Sequence, residues 1–428
     1  GSMTQSGDIV TLGAGQYRLR EQLAGSSYGL VWRAEREGFA QVALKLVNRA
    51  QMERAEPGLR ARWSECAARE IAFLSALSPW DARHIVRLLD HGMADGLPAL
   101  ALELLDGDLA AHMAAQNAAG HRTGLAQALA WTAQVNAALA KVHQQGWRYL
   151  DLKPANLLVD LAGASLKLAD FGTNRSLLDT GAHSYAGTAS WQAPEQFFPA
   201  DAGAPAGYVT DARADYFSLG ALFYYLVTDG ATLRYCGACG DAFRAHGRAG
   251  ATQLHGKLPT ILAGDEAARF LACAEGEGDG EAALALLRAL LARRPQDRPP
   301  HALAISRLIA SAQGAPLRRA ACCGRPASRS WPRPPWRCCA SCRRWPCCAR
   351  RRPGCRPKSS CHWRPAPNGC WAAPNWPPPR PASATCACAA TPPAPGSQPA
   401  PTGSRACASN AASVARSVSR SPVGVNRA

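Results

Sequence analysis

Residues 148–159 read RYLDLKPANLLV, which sets an acid, a cation and an amide close together ahead of a short apolar run: Asp151, Lys153 and Asn156. Pro154 blocks a helix through this point, and Asp and Asn are frequent turn residues, so one reading is a solvated turn whose charges face water. The other is that a proton acceptor, a phosphate-binding cation and a metal-binding amide oxygen are presented to one substrate. Phosphoryl transfer asks for such a set, because its main demands on a protein are alignment of nucleophile, phosphate and metal and the offset of their charge.

Groups of this kind need elements on both sides to hold them. YRLREQLAGSSYGLVWRAEREGFAQVALKLV (17–47) alternates apolar and polar residues between Gly-rich breaks, the pattern of a small antiparallel sheet. SECAAREIAFLSAL (64–77) has helical spacing, and HIVRLLDHG and PALALELL read as two more strands. Strands plus one helix therefore make an N-terminal unit up to Leu105. Beyond Gly107 the period becomes helical: LAQALAWTAQVNAALAKVHQQ is a long amphipathic helix ended by Gly146. SLKLADFG is a short strand running into a turn, and DARADYFSLGALFYYLVTDG, GEAALALLRALLARRP and HALAISRLIASA are helices of a second unit that closes near Ala312. The CxxC at Cys236 and Cys239 could be half a zinc site; with no second pair at suitable spacing, a loop without metal is expected.

DLKPAN (151–156), DFG (170–172) and APE (193–195), preceded by VALK (42–45), resemble the eukaryotic-like (Hanks-type) serine/threonine protein kinases of bacterial style, in the family's motif order from Tyr17 to Ala312. The resemblance implies an α+β bilobal kinase fold, with an N-lobe at 17–105 (antiparallel sheet plus one helix) and a mainly helical C-lobe at 106–312. It implies ATP and Mg²⁺ as cofactors and protein substrates phosphorylated on Ser or Thr; Lys153 and GTASWQAPE favour those acceptors over tyrosine. Asp151 matches the catalytic aspartate, Lys153 the cation at the γ-phosphate, and Asn156 with Asp170 the metal pair. Lys45 matches the lysine at the α- and β-phosphates, and Glu70 its helix partner, with Glu65 as the alternative one turn away. Tyr149, Phe171, Leu74 and Leu88 are expected to stack between the lobes. Around the nucleotide the resemblance gives Gly25, Ser26, Gly29, Val31, Ala43 and Leu158, with Leu102 beside the adenine, Glu103 and Leu105 offering backbone hydrogen bonds to it, and Asp108 near the ribose. Thr188 is expected to contact the catalytic loop, Glu195 to pair with Arg298, and Asp215 to anchor that loop.

Two features depart from the family. In LAGSSYGLVWRA the first two loop glycines are replaced by Ala24 and Ser26, which limits how closely backbone can approach phosphates and motivates a rival reading as a pseudokinase or nucleotide-binding module without turnover. The residue before the catalytic aspartate is Leu150, where many kinases carry an arginine that pairs with a phosphate on the activation segment. The enzyme is therefore expected to work without phosphorylation of Thr173, Ser176, Thr180 or Ser184, the alternative being that Arg148 or Arg175 takes over the missing cation's role.

Composition divides the chain of 428 residues. From Arg318 on there are nineteen Lys plus Arg and no Asp or Glu, so subtracting +19 from the formal +17 leaves the rest at −2. That tail has no Leu, Ile, Phe, Tyr or Met but thirteen cysteines and six tryptophans, and cannot bury enough apolar surface to fold alone. Residues 313–428 are read as disordered or as an out-of-frame translation of a GC-rich gene; zinc or nucleic-acid binding by the tail is the rival, while none is expected for the kinase domain. Four cysteines before the tail fit a reducing compartment, and the absence of a secretory leader or a spanning apolar run points to the cytoplasm.

Overall fold

Period-two alternation places one set of strand residues on each face of a sheet, and here the two sets serve different purposes. The computed structural model describes residues 4–314 other than 27, 81, 163, 205 and 277. Strands β1 (Ile9–Thr11), β2 (Gln16–Gly25), β3 (Gly29–Glu35), β4 (Val42–Val47), β5 (Leu88–Ala94) and β6 (Leu97–Glu103) form one antiparallel sheet in the order β1-β2-β3-β4-β6-β5. One face carries Tyr17, Leu19, Trp32, Ala34, Leu44, Ala99 and Ala101 into a small core. The opposite face carries Ala43, Leu100 and Leu102 into the larger core that continues through the described residues as far as Ala312. Between β4 and β5 lie the short helix α1 (Arg49–Arg54) and the longer α2 (Ala61–Ser75), which lays Phe73 and Leu74 against that second face.

The remainder of the described residues is mainly helical. Asp108 caps α3 (Leu109–Ala118), its Oδ1 accepting from the Ala111 N–H at 2.8 Å. Helix α4 (Leu125–Gln144) follows and stops at Gly146, whose φ of +87° suits a residue without a side chain. Next come four short strands that scaffold the loops: β7 (Trp147–Arg148), β8 (Leu157–Asp160), β9 (Ser165–Leu168) and β10 (Arg175–Ser176), with β8 paired to β9 and β7 to β10. Helices α5 (Pro194–Phe197), α6 (Arg213–Val227), α7 (Arg234–His246), α8 (Gly250–Gln253), α9 (Gly264–Cys273), α10 (Gly280–Leu290) and α11 (Ala302–Ala312) complete the described residues. Helix α6 is buried at every residue from Ala214 to Val227, which explains why its sequence is apolar all round.

Cys236 and Cys239, expected in a loop, lie on α7 with both side chains buried, because Tyr235, Cys236 and Cys239 form the inward stripe of that helix. Burial pushes both thiols up, Cys239 to about 12. Among the described residues no helix is long and apolar enough to cross a membrane. The basic tail from Arg318 on, with the readings made of it, lies outside the described residues.

Candidate active site

Register brings the first group of candidates together. Val31 pairs with Lys45, Lys45 with Leu100, and Ala43 with Leu102, so Val31, Ala43, Lys45 and Leu102 share the sheet face that looks into the cleft. Lys45 Nζ donates to Glu70 at 2.9 Å and 3.2 Å and to Asp170 Oδ1 at 3.2 Å. Glu70 sits on α2 three and four residues before Phe73 and Leu74, so packing of that apolar face aims its carboxylate at Lys45. The Glu70 carboxylate also accepts from the Phe171 N–H at 3.0 Å. Glu65 lines the same cavity but makes no hydrogen bond to Lys45 among the described residues. Burial opposes the charge on Lys45, yet Asp170 and Glu70 outweigh it and hold the ammonium protonated. Burial likewise works against ionised Asp170, and Lys45 overcomes it, keeping Asp170 below the usual carboxylate range; burial prevails at Glu70 and raises it. Behind this trio the Phe171 ring meets Tyr149 at 5.5 Å and Phe73 at 4.5 Å between ring centres. Leu74 belongs to the same core, and half-buried Leu88 packs against it.

The catalytic loop is held from beneath by one acid. Asp215 accepts from the Tyr149 N–H at 2.9 Å and the Leu150 N–H at 2.7 Å, and His143 Nε2 lies 2.8 Å from its Oδ2. Leu150 occupies the left-handed region at φ +66°, and its carbonyl accepts from Gln196 Nε2 at 2.9 Å, so bonds on both sides fix a backbone turn that costs energy for a leucine. The turn delivers Asp151. Its Oδ1 accepts from Thr188 Oγ1 at 2.7 Å and its Oδ2 from Asn156 Nδ2 at 3.1 Å, while Lys153 Nζ stands 3.9 Å away and donates to Thr188 Oγ1 at 2.8 Å. Burial pushes the Asp151 carboxyl up to about 6 against the opposing pull of Lys153. Asn156 Nδ2 also donates to the Asp151 carbonyl at 2.8 Å, which leaves its Oδ1 without a hydrogen bond among the described residues.

The remaining nucleotide candidates are more varied in their engagements. Gly25 pairs with Leu30 across the β2–β3 turn, and the turn is tightened from within: Ser26 N–H donates to the Gly29 carbonyl at 2.8 Å and Gly29 N–H to Ser26 Oγ at 3.1 Å. Asn48 Nδ2 donates to the Ser26 carbonyl at 2.8 Å, and the Tyr28 ring lies 4.9 Å from that of Trp63 on α2. Leu105 follows the end of β6, and its backbone N–H and C=O have no hydrogen-bond partner among the described residues. The Glu103 N–H donates to the Arg87 carbonyl at 3.0 Å and its carboxylate accepts from Lys167 Nζ at 2.7 Å, so any backbone contact from Glu103 to a ligand falls to its carbonyl oxygen. Asp108 is committed through Oδ1 to the α3 cap. Leu158, on β8, packs with Val31 against the large core. A cavity of about 510 Å³ runs from Gly29 and Lys45 past Glu70 to Asp151, Asp170 and Thr188.

The segment from Asp170 to Glu195 closes this cavity. Gly187 has φ +100°, and a Cβ there would collide with the Leu150 carbonyl oxygen, so only glycine allows the segment to lie this close to the catalytic loop. Glu195 and Arg298 form a two-pronged pair at 2.6 Å and 2.9 Å. Four features of the site lay outside the sequence reading: Phe73, Gln196, Asn48 and the bonds from both terminal nitrogens of Arg148 to backbone carbonyls. Asn48 left a usable signal, a capping residue directly before the short helix α1, where its Oδ1 accepts from the Gln51 N–H.

A sheet lobe carrying a lysine–glutamate pair, a helical lobe carrying an aspartate-bearing loop, and a cleft between them define the bilobal protein kinase fold. The protein kinase domain family matches residues 17–307, and the chain belongs to that family. The serine/threonine-protein kinase PkaA of Streptomyces coelicolor is 32% identical over 222 residues, covering 50% of this chain and 39% of its own length. The serine/threonine-protein kinase PknJ of Mycobacterium tuberculosis is 32% identical over 218 residues, covering 50% of this chain and 34% of its own. The chain thus spans well under half the length of these curated relatives. A crystal structure of the Mycobacterium tuberculosis PknI kinase domain, at 23% identity, covers 72% of this chain and 98% of that one with a TM-score of 0.47.

Proposed function

We propose that the chain is a catalytically active serine/threonine protein kinase that uses ATP with Mg²⁺, with an N-lobe at residues 17–105, a C-lobe at 106–312 and Asp151 as the base. The observation that carries this reading is the assembled Lys45–Glu70 pair, bonded to Asp170 across the cleft and facing Asp151 within one cavity. The donor set fits magnesium: a carboxylate on Asp170 and an amide oxygen on Asn156 whose nitrogen is already turned toward Asp151 are hard oxygen ligands. When bound, magnesium nucleotide supplies the transferable γ-phosphoryl group and offsets the charge of the departing diphosphate. Lys45 would hold the α- and β-phosphates, oriented by Glu70. Lys153 would offset charge on the γ-phosphate. Asp151, its carboxylate fixed by Thr188 and Asn156, would orient the acceptor hydroxyl of a protein Ser or Thr and take its proton. Val31, Ala43, Leu102 and Leu158 supply apolar surface for the adenine, and the backbone groups of Leu105, without a hydrogen-bond partner among the described residues, suit its edge. The cytoplasm supplies ATP and keeps thiols reduced, in keeping with the free cysteines Cys66, Cys236, Cys239 and Cys273.

The altered Gly-rich turn favours the rival, a nucleotide-binding module without turnover. Against it stands the retention of Lys45, Asp151, Asn156 and Asp170 in mutual reach. Incubating the purified chain with labelled ATP and Mg²⁺ and a generic protein substrate, then mapping phosphosites, separates the two. Transfer to Ser or Thr is expected, and nucleotide binding with no transfer by wild type under any divalent metal would overturn the active reading in favour of the rival.

A further inference from the structure

Arg148 stands three residues before Asp151, at a position where the two-residue strand β7 pairs with β10 in the activation segment: Arg175 faces Arg148, and Ser176 faces Trp147. Its side chain is 1% exposed. A buried guanidinium needs acceptors for its donors, and here none of them is a carboxylate. Nη2 donates to the carbonyls of Ser176 at 2.9 Å and Asp179 at 2.8 Å, and Nη1 donates to the carbonyl of Thr210. Arg148 thus ties two separate stretches of chain to the strand that leads into the catalytic loop. The other end of the segment reaches the same anchor: His183 exchanges backbone hydrogen bonds with Tyr208 at 2.8 Å and 3.1 Å, and its Nε2 lies 2.7 Å from Thr210 Oγ1.

We propose that Arg148 is a positioning residue that holds the activation segment in its working arrangement through backbone carbonyls, so that the enzyme needs no phosphate on that segment. The proposal rests on the kinase reading above. Leu150 cannot pair with a phosphate, and Arg148 is enclosed and engaged on both terminal nitrogens, so it does not serve as a phosphate receptor either. The two neighbouring cations are also bonded to uncharged oxygens: Arg69 donates to the Gly172 carbonyl at 2.9 Å and Arg175 to Ser184 Oγ at 3.0 Å. The segment is pinned at Ser176, Asp179 and His183 by hydrogen bonds to protein groups.

The test uses the full chain co-expressed with a phosphatase and checked by intact mass, as wild type, Arg148→Met and Arg148→Lys. Rates toward myelin basic protein, the Kd for ATP, and hydrogen exchange of residues 175–184 are measured. Unphosphorylated wild type should turn over within about twofold of autophosphorylated protein, while Arg148→Met lowers kcat by about 30-fold or more and leaves the Kd for ATP within about threefold. Amides of 175–184 should exchange about tenfold faster in Arg148→Met, with Arg148→Lys intermediate because an ammonium lacks the planar fork. The proposal is overturned if dephosphorylation alone silences wild type and rephosphorylation restores it. Arg148→Met matching wild type in rate and exchange also overturns it, as does loosening spread evenly over the C-lobe. Should Arg148→Met fail to fold, Arg148→Lys with wild-type rate and exchange overturns it equally. If no form transfers phosphate, the kinase reading fails separately, and the exchange of 175–184 in wild type against the variants decides the clamp.

Discussion

The hydroxyl of Thr188 donates to Oδ1 of Asp151 at 2.7 Å and accepts from Lys153 Nζ at 2.8 Å. A residue of the activation segment therefore fixes the rotamer of the proposed base, and displacement of the segment would free the carboxylate to turn. Thr188→Val removes the hydroxyl at nearly constant volume. We expect kcat to fall by about 10- to 100-fold with the Kd for ATP unchanged, as befits loss of orientation rather than of binding. Steady-state kinetics beside an ATP titration checks this, and an equal loss in both quantities would argue against the positioning role.

Asp151→Asn should reduce transfer by about 10²- to 10⁴-fold, the range ascribed to a positioned proton acceptor, while its melting temperature stays close to wild type. The carboxyl of Asp151 is pushed up to about 6 by burial. Only the deprotonated form accepts a proton, so kcat/KM should be level above that value and fall about tenfold per pH unit below it. Lys153 pulls the Asp151 value down, so Lys153→Met should move the acid limb to higher pH. The residual rate of Asp151→Asn should lack the limb. A limb at the same pH in that variant would assign it to another group.

Motif residues were legible because their chemistry forces their types, and the sheet because β2 and β3 mix polar and apolar positions while β4, covered on both faces, is apolar except at Lys45. Other parts carried no such signal. Strand β1 has three residues, too few for a period to register. Helix α7 contains Gly237 and Gly240, poor helix formers, and its CxxC suggested a loop, although the buried stripe of Tyr235, Cys236 and Cys239 has helical spacing. Asp108 drew attention only through the family resemblance, as a residue near the ribose, and its capping of α3 through Oδ1 was not read from the sequence. Arg148 was legible only as a cation that could take over the role of the arginine missing at Leu150. Its burial depends on carbonyls from Ser176, Asp179 and Thr210, which are distant in sequence and identical in every residue type.

Lys45 and Glu70 offer a test of helix register. Lys45→Met should cut transfer severely, by about 10²-fold or more, since Lys45 is the lysine that β3, β4 and β6 present to the cleft. Glu70→Gln keeps the shape but removes the charge that holds Lys45 toward the cleft, and should cost about tenfold or more in kcat/KM. Glu65→Gln is the control, because Glu65 lines the cavity without a bond to Lys45 among the described residues. Greater damage from Glu65→Gln than from Glu70→Gln would mean that α2 turns a different face to the sheet during turnover.

Glu195 and Arg298 join α5 to the loop before α11, and their pair is the most enclosed among the two-pronged ion pairs of the described residues: the Arg298 side chain is fully buried and that of Glu195 is 14% exposed. Arg298 also donates to the carbonyls of Ala292 at 2.8 Å, Arg213 at 2.9 Å and Arg293 at 3.0 Å. Removing one member of such a pair strands the other, at a cost of about 3–5 kcal/mol. Arg298→Met strands a carboxylate that retains some access to water but also three buried carbonyls; Glu195→Gln leaves the guanidinium with its carbonyls and an amide oxygen. Arg298→Met should therefore be the more destabilising of the two, and the double variant should cost less than the sum of the single changes, because the second substitution removes a group already stranded by the first. Chemical denaturation of the four proteins measures the coupling. Additive losses would mean that Glu195 and Arg298 act independently and that the carbonyls alone hold Arg298 in place.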